Sequence, residues 1–534
     1  MFNSSKQIKY RSEKELFSFP IDEISQGFNQ LKDFFILRED DNFIIYDRKC
    51  DHNGGKLCVS ENSIICPLHN WEFDINEGEY TNKIKKKKID FLIQEENIVI
   101  EKENLYLDLP SLNANKKHKI KLTFFSHACL IFESKDFAFA TDPWIKGFAF
   151  SGGWWIDNYP PKKWIDKLNS LDFIYISHNH PDHLNEFTLS ELRKDMPFIV
   201  PNFVSKSVEI VLRKIGFKNI YTFNFQKYYK FKDTDLLMTI LKSGDFRDDS
   251  GLYFSYGDFS FLTSVDSNDL NFSRHPKDVT VYASNFAGGA SGFPLCFDTL
   301  SEKEKEDFSS KNRKTIKAVV SSNVRKIMPK FFLPYAGFFY ERAKRDKYIA
   351  QNNLKNSIED FYDLTKETKT LNLLENDELY FENSKLTKIN KIERENKFPE
   401  NPEKFMEEIF QDSKMSDLEI KKYFQQSGFQ ENLILHITLN NSKGITKQFI
   451  VDFSSKNIEV DFKNYKWPNI KKKNIHVNGK IKALELKIRE DSFYWVLSNK
   501  KSWEDLSIGF QCRIDRVPDV YNVNFWFHFT NIYI

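Results

Sequence analysis

No run of apolar residues in the chain approaches the roughly 18 that a membrane-crossing helix needs. The opening stretch MFNSSKQIKYRSEKELF also lacks the apolar core of a secretory leader. Both absences argue against a membrane span and predict a cytoplasmic protein. Six cysteines in 534 residues (Cys50, Cys58, Cys66, Cys129, Cys296, Cys512) are too few and too scattered for a disulfide framework. With 19 glycines and 17 prolines, fibrous and collagen-like repeats are excluded. Charge of one sign is scarce too: 78 Lys and Arg against 76 Asp and Glu leave +2, so no global excess exists to hold nucleic acid or an anionic membrane. Repeats of solenoid period are absent.

What is present is apolar area. Hydrophobic residues make up 40% and aromatics 16%, with 52 phenylalanines, which suits several packed cores rather than one. At about 150 residues per domain the length suggests three or four units. Residues 33–48 read as two strands, FFILRE and FIIYDR, turned at Asp40-Asp41-Asn42, and residues 89–107 repeat the scheme around Glu95-Glu96-Asn97. Residues 1–110 are therefore expected to form an all-β module. Its KIKKKK run at 83–88 reads as a solvated loop, with docking of an acidic redox partner as the alternative.

Residues 111–345 alternate apolar strands such as CLIFE and FAFAT with strand-turn-helix units such as 171–195, the pattern of α/β layers. Residues 346–403 are charged and Asn-rich and read as a helical bridge. Residues 404–534 begin with a helix to about 427, then strands LILHITL, QFIVDF and NIEVDF, an α+β unit. The fold class is multidomain α+β.

Two constellations carry chemistry. Cys50-Asp51-His52 is followed, after thirteen intervening residues, by Cys66-Pro67-Leu68-His69, so each of two loops offers one thiolate and one imidazole. Cys2His2 also suits tetrahedral zinc, but zinc ligand pairs usually come as CxxC or HxxxH. One Cys and one His per loop suits a 2Fe-2S cluster with two sulfur and two nitrogen ligands. The motif resembles the Rieske pattern, including Gly54-Gly55 and Pro67, in the form without a disulfide between the loops. Two imidazoles in place of two thiolates would raise the cluster potential to roughly −150 to +300 mV, against about −400 mV for all-cysteine ferredoxins. Cys58 lies outside both loops and reads as an ordinary buried thiol.

The second constellation is Ser177-His178-Asn179-His180-Pro181-Asp182-His183, which follows the apolar strand LDFIYI. Three histidines and a carboxylate at one strand end can converge on zinc or iron. The motif resembles the metallo-β-lactamase fold, whose αββα layers it implies here. TDPW at 141–144 and Ser126-His127-Ala128 resemble the branch that includes lactonases and phosphodiesterases. The ligand set departs from that hydrolase pattern. Where a third histidine belongs, LKSGDFRDDSGLYF has none; Asp245 is the first substitute, with Asp248 and Asp249 behind it. The bridging aspartate maps to Asp266, and Tyr335 stands where a last histidine is expected. His178, His180 and Asp245 would make two histidines and one carboxylate, the set of mononuclear non-haem iron oxygenases, with zinc as the other possible ion. Asp182, His183 and Asp266 remain as further ligands, and Asp182 and His127 as catalytic candidates.

A cluster that passes single electrons would be idle beside a hydrolytic zinc and useful beside ferrous iron. Over roughly residues 30–534 the chain resembles the CMP-N-acetylneuraminate hydroxylase family. The matching stretches are CLIFE, DPWIKGFAFSGGWW, IYISHNHPDHL, SNFAGGASGFP and SWEDLSIGFQCRIDRVPDVYNVNFWFHF. That resemblance implies an oxygen-dependent monooxygenase converting the N-acetyl group of CMP-bound sialic acid to N-glycolyl. Electrons would come from NADH through a reductase and a b-type cytochrome or a ferredoxin. The competing class is a metal-dependent phosphodiester or lactone hydrolase with a redox-sensing cluster.

Other residues carry two readings each. Gly288, Gly289 and Gly292 suit either backbone contact with an anion or a tight loop. His127 and Asp142 suit support of metal ligands. Trp154 and Trp155 suit stacking on cytosine or a core, and Arg513 and Arg516 suit an acidic sugar nucleotide or bare surface. His118, His275, His436, His476 and His528 show no partner pattern.

Overall fold

Strand Cys129–Glu133 shows how the central layers arise. Its sequence CLIFE is apolar at four successive positions because both of its faces are covered. Leu130 and Phe132 enter one apolar cluster, while Cys129 and Ile131 enter another. The structure, a computed structural model, describes residues 1–52, 54–60, 63–67, 71–109, 118–244, 247–375, 377–463, 465, 482–519 and 521–531. His69, Asp245 and His476 lie outside them.

The middle of the chain is a sandwich of two eight-stranded sheets. One runs Ile220–Phe223, Phe198–Pro201, Phe173–Tyr175, Ala138–Thr141, Cys129–Glu133, Lys119–Ser126, Glu378–Glu382, Lys385–Asn390. The other runs Phe2–Gln7, Lys227–Phe231, Leu236–Lys242, Ser250–Tyr256, Phe259–Thr263, Val281–Ser284, Phe331–Pro334, Lys369–Thr370. Between them aromatics interlock edge to face, with Phe132 at 4.8 Å from Phe254 and 4.7 Å from Phe261. Helices Trp164–Asn169 and Ser207–Ile215 cover the first sheet through Leu168, Val208 and Leu212. Helix Glu302–Ile327 packs Ile316, Val320, Val324 and Ile327 into the inter-sheet cluster. It starts at a Ser301–Glu304 capping box. These are the expected αββα layers.

Residues 346–403 are not a helical bridge. Three strands there, Lys369–Thr370, Glu378–Glu382 and Lys385–Asn390, complete both sheets of the sandwich. The opening strand Phe2–Gln7 also pairs with Lys227–Phe231, so the β module does not own the whole of residues 1–110. That module has three small sheets. In one of them Phe34–Glu39 turns into Asn42–Asp47, and in another Leu92–Gln94 turns into Asn97–Asp108 at Glu95 and Glu96, both in the left-handed region a two-residue hairpin favours.

The last unit is a five-stranded sheet in the order Glu459–Asp461, Gly444–Asp452, Leu433–Asn441, Lys482–Arg489, Cys512–Val517, flanked by helices. The helix expected over 404–427 is two, Pro402–Phe410 and Asp417–Gln426, because Ser416 and Glu419 form a new capping box between them. Among the described residues no helix is long and apolar enough to cross a membrane.

Candidate functional site

The first cysteine loop is closed by its own backbone: Cys50 N–H donates to Gly55 O at 2.7 Å and Gly54 N–H donates to Cys50 O at 2.9 Å. Cys50 and Cys66 are each 1% exposed and share one apolar cluster with Phe35, Tyr46, Phe73 and Tyr80. Cys66 pairs across two strands with Trp71, and the His52 imidazole stacks on the Trp71 ring at 4.5 Å and 3°. The first loop's histidine therefore lies against the hairpin that carries the second cysteine. Two buried sulfurs in one cluster with an imidazole at its rim fit a 2Fe-2S group; the fourth expected donor, His69, is among the residues not described.

Tyr80 Oη donates to Asp51 Oδ2 at 2.8 Å, and burial beside Cys50 holds its hydroxyl far above the usual phenol range. Lys86, from the KIKKKK run, is not solvated. It is 5% exposed and reaches Lys49 O at 2.6 Å, Asp47 at 2.7 Å and Asp51 at 3.2 Å. Cys58 stays outside this group, its thiol 3.4 Å from Lys56 O.

The second site lies along one edge of the sandwich, where six strands begin or end. His127 and Asp142 follow strands Lys119–Ser126 and Ala138–Thr141, and both have φ of 35°, in the sparsely populated left-handed region. Such strain costs of order 1–3 kcal/mol and persists where the surroundings hold the residue in place. His178 to His183 follow Phe173–Tyr175, Asp249 precedes Ser250–Tyr256, Asp266 follows Phe259–Thr263, and Tyr335 follows Phe331–Pro334.

Among the described residues, three overlapping triads have donor atoms within 4.8 Å of one another: His178, His180 and Asp249; His178, His183 and Asp266; His127, Asp182 and His183. Asp249, not Asp248, joins the histidines. Asp248 instead accepts from Ser205 Oγ. Tyr335 is no ligand in this arrangement, since its hydroxyl pairs with Thr263 Oγ1 at 2.6 Å. Among the described residues, the buried atoms His127 Nε2, His183 Nε2 and Asp182 Oδ1 at the centre have no hydrogen-bond partner, with Asp182 Oδ2 at 3.3 and 3.5 Å from the two imidazole nitrogens, and the donor set is imidazole and carboxylate. That combination fits a cation and suits non-haem iron.

Five of these groups have an outer partner among the described residues. His178 Nδ1 bonds Ser177 Oγ at 2.9 Å, and Ser177 Oγ donates to Asp142 Oδ2 at 2.7 Å. His183 Nδ1 donates to the same Asp142 oxygen at 3.1 Å. Asp249 Oδ2 pairs with Arg247 at 3.1 Å, and Asp266 Oδ1 accepts from Asn285 at 3.1 Å. His180 Nε2 donates to Glu504 Oε2 at 3.1 Å. Burial, reinforced by His183 and His180, keeps His178 well below the usual imidazole range and so neutral, the form that binds metal. Burial also opposes charge on His180 and His183, but the facing carboxylates outweigh it, lifting His180 to about 9.

A cavity of about 250 Å³ opens onto this centre. Its wall combines Phe150, Trp154, Arg247 and the Gly288–Ser291 backbone with Arg516, Tyr521 and Trp526 of the last unit. Arg516 lines it. Arg513 does not; it points to Phe510 O, Cys512 O and Asp298. Both tryptophans are buried in apolar clusters, Trp154 stacked on Phe339 at 3.6 Å and Trp155 in a neighbouring cluster. Gly289 has a packing reason, since a side chain there would collide with the Phe339 ring. Glu504 and Asp249 are the functional candidates that sequence reasoning missed or ranked low.

The Rieske [2Fe-2S] domain family matches residues 19–92, and the beta-lactamase superfamily domain matches residues 121–241. The chain carries both domains. It is 29% identical to the cytidine monophosphate-N-acetylneuraminic acid hydroxylase of Pongo pygmaeus, over 93% of this chain and 89% of that protein. Hydroxylases of the same name from Mus musculus and Xenopus laevis are each 28% identical over 93% of this chain, covering 91% and 88% of their own lengths. Among solved structures, the diiron beta-hydroxylase CmlA from Streptomyces venezuelae aligns at 15% identity over 49% of this chain and 54% of its own, with a TM-score of 0.31.

Proposed function

We propose that this chain is a Rieske-dependent monooxygenase that hydroxylates the N-acetyl group of CMP-N-acetylneuraminate, or a related sugar nucleotide, to the N-glycolyl form. One observation carries the reading. A sulfur-imidazole donor set and an imidazole-carboxylate set occur in one chain, and the loops bearing them touch. Lys49, next to Cys50, pairs with Asp269, three residues beyond Asp266. A hydrolytic zinc has no use for such a neighbour, so the hydrolase alternative is not favoured.

In this reading Cys50, His52, Cys66 and His69 hold the cluster. His178, His180 and Asp249 hold iron, with Asp249 in the place first expected of Asp245. His127, Asp182, His183 and Asp266 supply donors for a second ion, which widens the mononuclear expectation. When bound, these groups supply single electrons and oxygen activation.

The chain's own residues then orient the substrate. Arg247 and Arg516 line the cavity wall, each held by a carboxylate, Asp249 and Asp519, and their remaining N–H groups would meet a phosphate and a carboxylate. Phe150, Trp154 and Ile508 make the wall beside the donors apolar, which excludes water from the acetamido methyl. Neutral His178, held by Ser177, keeps its Nε2 lone pair directed inward. The electron donor would be a b-type cytochrome or a ferredoxin reduced from NADH, in the cytoplasm.

Incubation of the purified protein with CMP-N-acetylneuraminate, oxygen and a competent donor should yield a product heavier by one oxygen atom, placed on the acetyl carbon by mass spectrometry. No such product, with other CMP sugars converted instead, would move the proposal to a different substrate. Turnover without oxygen would overturn it.

A further inference from the structure

Four of the five outer partners around the metal-type donors, Ser177, Asp142, Arg247 and Asn285, come from the sandwich itself. The fifth does not. Glu504 opens the five-residue helix Glu504–Ile508 of the last unit, 324 residues along the chain from His180.

The ring orientation of His180 decides what Glu504 does. His180 Nδ1 stands 2.9 Å from His178 Nε2. Two imidazole nitrogens about 2.0–2.1 Å from one ion, at right angles to each other, are also about 2.9 Å apart. Without an ion this spacing is a hydrogen bond; with one, Nδ1 would turn to the ion shared with His178, while Nε2 faces outward onto Glu504. A carboxylate accepts only, so Nε2 carries a proton, and the proton given up when an ion binds is the one on Nδ1.

Backbone contact holds Glu504 in place. A side chain on Gly509 would fall 2.2 Å from Phe150 O, and one on Gly153 would fall 2.3 Å from Gly509 O. The loop Phe150–Gly153 and the end of the Glu504 helix thus meet backbone to backbone, and Phe150 in turn lies 5.7 Å from the His180 ring.

We infer that Glu504 is the positioning carboxylate for His180, fixing its tautomer and aim so that docking of the C-terminal unit completes the metal site. The inference rests on the ligand set proposed above. Outer carboxylates of this kind are worth 10- to 100-fold in metal affinity.

The test is anaerobic chelator competition for ferrous iron on the full-length protein with its cluster intact, comparing wild type, Glu504→Ala, Glu504→Gln and His178→Ala. Glu504→Ala should weaken iron binding roughly 10- to 100-fold. Glu504→Gln, whose amide oxygen still accepts from Nε2, should recover most of the loss. The electron-spin signal of the cluster and the melting temperature should stay at wild-type values in both. Unchanged affinity in Glu504→Ala would overturn the inference alone. So would loss of iron at saturation in both Glu504 variants, which would make Glu504 a ligand itself. Wild type that binds no iron, or His178→Ala that binds it undiminished, would overturn the ligand set and the inference together.

Discussion

Lys49 Nζ stands 2.8 Å from Asp269 Oδ1, and this one contact ties the Cys50 loop to the loop of Asp266. Lys49 also reaches Ser273 Oγ at 3.0 Å, and a side chain on Gly54 would fall 3.2 Å from Asp269 Cβ. The two donor sets are thus mechanically joined within a single chain. Lys49→Ala should cost little stability, within the 0.2–1 kcal/mol typical of exposed ion pairs. It should slow reoxidation of the reduced cluster by oxygen and substrate several-fold in stopped flow, with an unchanged cluster spectrum. An equal rate would mean that the contact does not set the approach of the two loops.

Asp249 should be indispensable to metal binding. Asp249→Ala is expected to lower iron affinity by more than the roughly 10–100-fold that an outer partner is worth. Metal analysis after gel filtration reads this directly, and iron retained at the wild-type level would return Asp245 to that place.

Asp142 serves two histidines at once, through His183 directly and through Ser177 to His178. Asp142→Ala should therefore weaken metal binding about 10- to 100-fold while leaving the sulfur-ligated cluster intact. Calorimetric titration with ferrous iron checks it.

Gly509→Ala places a methyl group against Phe150 O. Overpacking of this kind typically costs about 1–3 kcal/mol. Urea unfolding should show that loss, together with weaker iron binding as Glu504 is pushed from His180.

His275 is fully buried, and burial together with Lys326 lowers it to about 3. It is neutral in the native state, while in the unfolded chain it takes a proton below about 6.5. Its contribution to stability is complete above that pH and is lost as pH falls from about 6.5 toward 3, at up to about 1.4 kcal/mol per unit. His275→Gln should flatten this part of the stability curve in denaturant titrations from pH 7 to 4, and an unchanged slope would reject the assignment.

The local motifs were legible because their residues are neighbours in sequence. Cys50 and His52 follow strand Asn42–Asp47, Cys66 ends strand Ser63–Cys66, and the His178–His183 turn follows Phe173–Tyr175. Asp142 and His127 were legible as strand-end polar residues. The choice between Asp248 and Asp249 was not, since neighbouring carboxylates look alike in sequence and are told apart only by what they meet: Ser205 for Asp248, the histidines for Asp249. Glu504 left no local trace, because nothing in SWEDL marks a contact with a residue more than 300 positions away. Strands Glu378–Glu382 and Lys385–Asn390 were misread as part of a bridge for a physical reason. ELYFE and KLTKIN are short and charged, they close one edge of a sheet, and their turn at Asn383-Ser384 adopts left-handed φ of 47° and 58° without the usual glycine.

The most direct test of the account is one turnover of pre-reduced protein, mixed with CMP-N-acetylneuraminate and isotopically labelled dioxygen, while the cluster's electron-spin signal is followed. The account predicts labelled oxygen in the hydroxylated product, formed in step with loss of the reduced-cluster signal. Product oxygen drawn from water, or product formed while the cluster stays reduced, would contradict it.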